Sequence, residues 1–215
     1  MRHAPLVTLA RADSALGEIA LRRRGEVVEL VVNGVFAMDS VETCSELALA
    51  DAAGIPPGRV LVGGLGLGFT AARLLDNGAA RVDVVELAAP LVEWARNGVT
   101  DRLGRVASDP RVTLHDGDIA DWIGADQGPR DAVLLDVDNG PGFLLHDRNR
   151  RLYRADHLAA VRAMLAPGGV LVVWCEAPSP GLLATLRTLD PDAEELLIPV
   201  EREGRSFDYA LYRCR

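Results

Sequence analysis

The run Val60-Leu61-Val62-Gly63-Gly64-Leu65-Gly66-Leu67-Gly68 constrains this chain more than any other stretch, because an apolar strand enters a glycine turn and leaves it as a helix. Strand, tight turn and helix in that order open a parallel sheet covered on both faces. Glycines at alternate positions serve either a tight backbone turn that packs closely or the near approach of a ligand that a Cβ would block. A nicotinamide-type G-x-G-x-x-G fingerprint starting at Gly64 needs glycine at position 69, where this chain has Phe69.

The alternation continues to the C-terminus. Buried-strand patterns fall at 59–62, 81–86, 111–114, 132–136 and 170–175, and helical patterns at 68–75, 89–97, 119–123, 155–165 and 180–189, with Pro167-Gly168-Gly169 stopping the fourth helix. Segments 194–200 and 206–212 suit an antiparallel hairpin at the sheet edge. Ahead of the glycine turn, 6–12, 17–22 and 26–33 read as short strands, and Ser40 is placed to cap a helix that starts at Val41 and ends at 54–58. The fold class is therefore α/β: a Rossmann-like, doubly wound, mostly parallel seven-stranded sheet with a C-terminal hairpin, preceded by a small N-terminal β-meander. The expected division is 1–53 for the meander and its helix and 54–215 for the Rossmann-like domain.

Composition narrows the function. With 215 residues, 49% of them apolar, the chain can bury one full core. It carries no apolar run long enough to span a bilayer and no apolar signal core at Met1-Arg2-His3, so the expectation is a soluble, cytoplasmic protein without a membrane partner. A net charge of −8 opposes nucleic-acid binding and favours a small-molecule acceptor. All 23 basic residues are arginine, which excludes Schiff-base chemistry and a Walker A lysine. Cys44, Cys175 and Cys214 form no CxxC pair, and His115, His146 and His157 are scattered, so no metal site is expected. Trp94, Trp122 and Trp174 read as core.

Four constellations carry chemistry. Glu86 ends the second strand of the parallel pattern, beside the glycine turn, where a carboxylate accepts ribose hydroxyls; a solvated strand-end acid is the other reading. Asp118 follows the next strand, so that it faces an adenine amino group with Ile119 on the ring, or else closes an Asp-Gly turn. Asp136 and Asp138 stand at the carboxyl end of a central strand, where open α/β sheets place ligands. Asp136 suits a base for a substrate amine, while Asp138-Asn139-Gly140 also suits a plain turn.

The G-x-G-x-G spacing at Gly64, Gly66 and Gly68 is that of methyltransferase-like folds, and from about Leu30 to Trp174 the chain resembles the spermidine synthase family. The matching segments are Val32-Asn33-Gly34-Val35, the glycine turn, Val85-Glu86, Asp109-Pro110-Arg111-Val112 with Gly117-Asp118, the strand reaching Asp136, and Leu152-Tyr153 before a helix ending in Leu165-Ala166-Pro167-Gly168-Gly169. The resemblance implies a donor of the S-adenosylmethionine type held by the three glycines, Glu86, Asp118 and Ile119. It also implies reaction at Asp136 and Asp138, substrate contacts from Glu46, Asn139 and Tyr153, and the pairing into homodimers common in the family.

Departures from the family pattern shape the expected reaction. Gly66 replaces the acid of the family's glycine turn, which faces the donor's amino tail. The Asp-Ser-Ser-Asp-Pro loop becomes Asp136-Val137-Asp138-Asn139-Gly140, and the gate keeps only the glutamate in Cys44-Ser45-Glu46. A dicationic diamine needs carboxylates and aromatic walls at both ends of its site. With several of these missing, the sequence favours intact S-adenosylmethionine and methyl transfer to a small molecule. Aminopropyl transfer from decarboxylated S-adenosylmethionine to a diamine, and a non-catalytic nucleoside-binding or scaffold protein, are the alternatives.

Overall fold

The computed structural model describes residues 4–54, 58–123, 128–137, 139–142, 144, 147–202 and 204–215. Four antiparallel strands, β1 (Leu6–Ser14), β2 (Gly17–Arg24), β3 (Val27–Val32) and β4 (Val35–Asp39), form a sheet in chain order. The fourth strand is absent from the sequence pattern. It is five residues long and turns back through Asn33-Gly34, both with positive φ (49° and 78°), the backbone that a two-residue type I′ hairpin requires.

Helix α1 spans Cys44–Ala52 and starts later than expected. Ser40 does not cap it: its hydroxyl accepts the Val28 N–H at 3.0 Å, while Asp39 Oδ1 accepts the N–H groups of Val41 and Glu42 at 2.9 and 3.1 Å. Two competing side-chain partners therefore keep 40–43 in a turn and delay the helix.

The second sheet holds β5 (Arg59–Gly63), β6 (Arg81–Glu86), β7 (Val112–Asp116), β8 (Arg130–Leu135), β9 (Leu165–Cys175), β10 (Glu194–Arg202) and β11 (Arg205–Cys214), in the order β10-β11-β9-β8-β5-β6-β7. The strands from β5 to β9 pair in parallel and β11 is antiparallel to both neighbours. Helices α2 (Phe69–Asp76), α3 (Ala89–Arg96), α4 (Asp101–Ser108), α5 (Ile119–Trp122), α6 (Ala155–Ala163) and α7 (Pro180–Leu189) cover its faces, with a 3-10 helix at Asp147–Tyr153. Val60, Leu61, Val62, Val82, Val84 and Ala132 to Leu135 are almost wholly buried, as two covered faces demand.

Helix α4 escapes the periodicity because only Leu103 and Val106 of its eight residues are buried. The Thr100 hydroxyl, which accepts the Leu103 N–H, marks its start. Ile19, Leu21 and Leu30 of the first sheet share one apolar cluster with Val60 and Val62 of the second, which seats the small sheet over the carboxyl end of the large one. No described helix is long and apolar enough to cross a membrane.

Candidate active site

The chain runs β5, β6, β7 to one side and then returns to the other side of β5 as β8, so the switch point of the sheet lies between β5 and β8. Register places Val85 and Leu135 on either side of Gly63, and Glu86 and Asp136 follow those residues directly. Both carboxylates, with Gly64 and Gly66, line a cavity of about 170 Å³ roofed by β3, β4 and α1.

All the sequence-selected site residues but Asp138 lie among the described ones. Glu86 is buried; its Oε2 accepts the Leu65 N–H and its Oε1 the Ala88 N–H, each at 2.8 Å. Burial nonetheless pushes its carboxyl above the ordinary range. The backbone N–H groups of Gly66 and Leu87 bear on the same carboxylate, which lines the cavity as a buried acceptor held in place by the glycine turn. Those residues fit a nucleoside.

Asp118 also reaches the cavity, with Oδ1 capping α5 through the Ala120 N–H at 2.9 Å and Oδ2 on the Arg151 guanidinium at 2.6 Å. Arg151 is a partner that local sequence does not suggest. Ile119 is buried on the cavity wall. Asn139 lines the cavity, and its carbonyl accepts the Glu176 N–H at 3.0 Å. Gly68 and Tyr153 are not among the lining residues: Gly68 is the N-cap just before α2, and Tyr153 is buried in the apolar cluster with Leu152 and Leu158. Asp138 lies outside the described residues, as do Phe143 and His146.

Asp136 has the most altered acid chemistry. Its Oδ2 accepts the Thr70 hydroxyl at 2.8 Å, yet desolvation by burial, reinforced by the charges of Glu46 and Glu86, pushes its pKa up to about 7. Glu46 is raised as well, first by burial and then by Glu42 and Asp39, against a 2.7 Å hydrogen bond from the Ser45 hydroxyl.

The glycines answer the packing question raised by the sequence. A Cβ on Gly64 would lie 2.0 Å from the carbonyl oxygen of Asp136, and one on Gly66 would lie 2.7 Å from Met38 Sδ, which also accepts the Leu67 N–H. Met38 thus fills the space beside Gly66.

The sequence reading missed Asp39, Glu42, Phe36, Met38, Thr70, Tyr209 and Arg202, all of which line the cavity, and it read Trp174 only as core, whereas that residue packs against the core and lines the cavity as well. Trp174 is part-exposed on the cavity wall, its ring 5.1 Å from that of Tyr209. The signal available was the acid density of Asp39-Ser40-Val41-Glu42 just before Glu46. Among the described residues no group of three His, Cys, Asp or Glu side chains is arranged to hold a metal.

The fold and the switch-point cavity define a class I S-adenosylmethionine-dependent methyltransferase fold with an added N-terminal sheet. No family model matches the chain. It is 31% identical over 176 residues to a polyamine aminopropyltransferase of Mycobacterium tuberculosis, an alignment covering 79% of this chain and 33% of that protein. To a polyamine aminopropyltransferase of Nitrosomonas europaea it is 34% identical over 140 residues, 61% of this chain and 41% of that protein. The chain thus spans between a third and two fifths of the length of these curated relatives. The structure of a spermidine synthase in complex with the transition-state analogue AdoDATO superposes with a TM-score of 0.79 at 18% identity, covering 96% of this chain and 73% of that one. The chain belongs to the spermidine synthase-like family.

The balance of these relatives overturns the expectation of methyl transfer: five of the six curated proteins that match are polyamine aminopropyltransferases, and the sixth is a putrescine N-methyltransferase of Nicotiana tabacum, 34% identical over 125 residues. The cavity also holds carboxylates and aromatic side chains outside the motif positions counted in the sequence: Asp39, Glu42, Phe36, Trp174 and Tyr209.

Proposed function

We propose that the chain catalyses transfer of an aminopropyl group from decarboxylated S-adenosylmethionine to a small diamine. One observation carries this reading: Asp39, Glu42, Glu46, Glu86, Asp118 and Asp136 line a single cavity in which, among the described residues, Arg202 is the sole cationic lining residue. Donor and acceptor are both cations, and a cavity with surplus negative charge and low-dielectric walls concentrates cations and holds two of them near one another.

When bound, the donor supplies an electrophilic carbon on a sulfonium and a neutral thioether leaving group. The chain supplies position and a base. Glu86 receives the ribose hydroxyls, and Glu46 and Glu42 face the amine end of the cavity. The attacking amine must first shed a proton, and an ordinary aspartate is a poor base for an alkylammonium of pKa about 10.4. Raising Asp136 to about 7 removes roughly half of that mismatch. As the carbon–nitrogen bond forms and the carbon–sulfur bond breaks, Asp136 holds the proton released by the amine.

The test is to give the purified chain either sulfonium donor with 1,3-diaminopropane, putrescine or cadaverine and follow the products by mass spectrometry. Aminopropylated diamine and 5′-methylthioadenosine are expected with the decarboxylated donor alone. A methylated amine from intact S-adenosylmethionine, or no product with any pair, overturns the reading.

Glu86→Gln checks the donor end separately. Both Glu86 oxygens accept backbone N–H groups, so the amide NH₂ must oppose a donor. The Kd for 5′-methylthioadenosine, read by calorimetry, is expected to rise about 10- to 100-fold, the loss of a charge-assisted hydrogen bond.

A further inference from the structure

The hairpin β10–β11 sends Arg202, the last residue of β10, back to the N-terminal sheet. Its Nη2 lies 2.6 Å from Asp39 Oδ2, across 163 residues of sequence, and its guanidinium stacks 4.5 Å from the centroid of the Phe36 ring. Asp39 is buried and fixed from behind, because its Oδ1 accepts the Val41 and Glu42 N–H groups, which leaves Oδ2 facing Arg202.

The acids then differ by neighbour. Asp136, Glu46 and Glu42 make no ion pair among the described residues, whereas Asp39 is neutralised by Arg202. Asp136, Glu46, Glu42 and Asp39 line one cavity, where Asp136 feels the charge of Glu46 and Glu46 that of Glu42 and Asp39.

We propose that Arg202 is a specificity-determining residue that limits the acceptor to a short diamine by occupying Asp39, the carboxylate that a third amino group of a longer polyamine would reach. This rests on the aminopropyl-transfer reading. A diamine places its reacting nitrogen at Asp136 and its distal ammonium at Glu46 and Glu42, all without a competing cation. A linear triamine carries one more ammonium, which meets the Arg202 guanidinium rather than a free carboxylate. Excluding a partner by like charge is a common route to specificity. The cation–π contact with Phe36 together with the Asp39 contact holds the guanidinium in place, which a lysine reproduces in charge but not in shape.

The experiment titrates putrescine and spermidine separately into the wild-type chain and into Arg202→Gln, Arg202→Lys and Asp39→Asn, with calorimetric Kd as the readout. Wild type is expected to prefer putrescine. Arg202→Gln should shift the ratio of the two Kd values at least about tenfold towards spermidine, and Arg202→Lys should keep most of the wild-type preference. Asp39→Asn leaves the Arg202 charge unneutralised at the cavity end and should weaken both amines. If Arg202 merely ties the hairpin to the first sheet, Arg202→Gln lowers the melting temperature and leaves the ratio unchanged, which overturns the inference. Wild-type binding of both amines with equal affinity overturns it while leaving the proposed function standing. Failure of the wild type to bind either amine overturns both.

Discussion

Asp136→Asn is expected to lower kcat by about 1,000-fold while raising the melting temperature above neutral pH, the factor being that of a lost general base. The two effects share one cause. Burial and the charges of Glu46 and Glu86 lift the Asp136 pKa from 3.8 to about 7, so the folded protein disfavours the charged carboxylate that the reaction requires. The stability this group contributes is fully present below its ordinary pKa of 3.8 and is lost as pH rises through about 7. Asparagine never ionises, and its amide oxygen still accepts the Thr70 hydroxyl, so the variant should keep above pH 7 the stability that the wild type loses. In the wild type, kcat/KM should climb with pH and level off above about 7, and Asp136→Asn should show no such limb. Thr70→Val removes the hydrogen bond that favours the charged form, which moves the limb to higher pH. Rate measurements from pH 5 to 9 beside thermal melts at pH 5 and 8 check all of this. A loss of both rate and stability at pH 8 would make Asp136 a residue of the fold instead.

Such a trade of stability for chemistry was only partly legible in the sequence. Strands β5, β6 and β8 read clearly because burial on both faces forces apolar runs, broken in β6 only by the buried Asp83, and their order places Glu86 and Asp136 at strand ends without any knowledge of side-chain contacts. Helix α4 and strand β4 did not read, because β4 is only five residues long and α4 is short and mostly polar, with Leu103 and Val106 its only buried residues. That second omission had consequences for function. Asp39 ends β4, and with that strand unseen neither Asp39 nor Phe36 could be assigned to a cavity wall, so the amine end looked bare. Counting acids only at the motif positions of the resembling family favoured methyl transfer. The fold draws its carboxylates from the β4–α1 corner instead, and the Asp39–Arg202 pair that closes it is a tertiary contact with no local signature. Trp174 shows the same limit: its strand pattern suggested core, and it does pack against the core cluster, but its place on the cavity wall beside Tyr209 of β11 is a tertiary contact.

Gly64→Ala is expected to cost about 3–5 kcal/mol of stability, combining the strain of an L-residue at a disfavoured backbone angle with overpacking. Gly64 sits at φ 94°, and an added Cβ would lie 2.0 Å from the Asp136 carbonyl oxygen and 2.9 Å from the carbonyl carbon. Neither atom can swing away. The Gly64 N–H donates to the Val85 carbonyl at 2.8 Å and the Asp136 N–H to the Gly63 carbonyl at 2.9 Å, so both backbones are held in the sheet. Gly66→Ala is the instructive contrast. Its φ of 49° lies in the left-handed region, and its Cβ would meet the flexible Met38 side chain at 2.7 Å, so the neighbour can move aside. Its cost should be about 1–2 kcal/mol, with the larger effect on donor affinity as Met38 is displaced into the cavity. Urea denaturation of the two variants, beside calorimetry with 5′-methylthioadenosine, separates a glycine required by the sheet from one required by the cavity. Equal stability losses in both would mean that strain alone, and not the Asp136 carbonyl, dictates glycine at position 64.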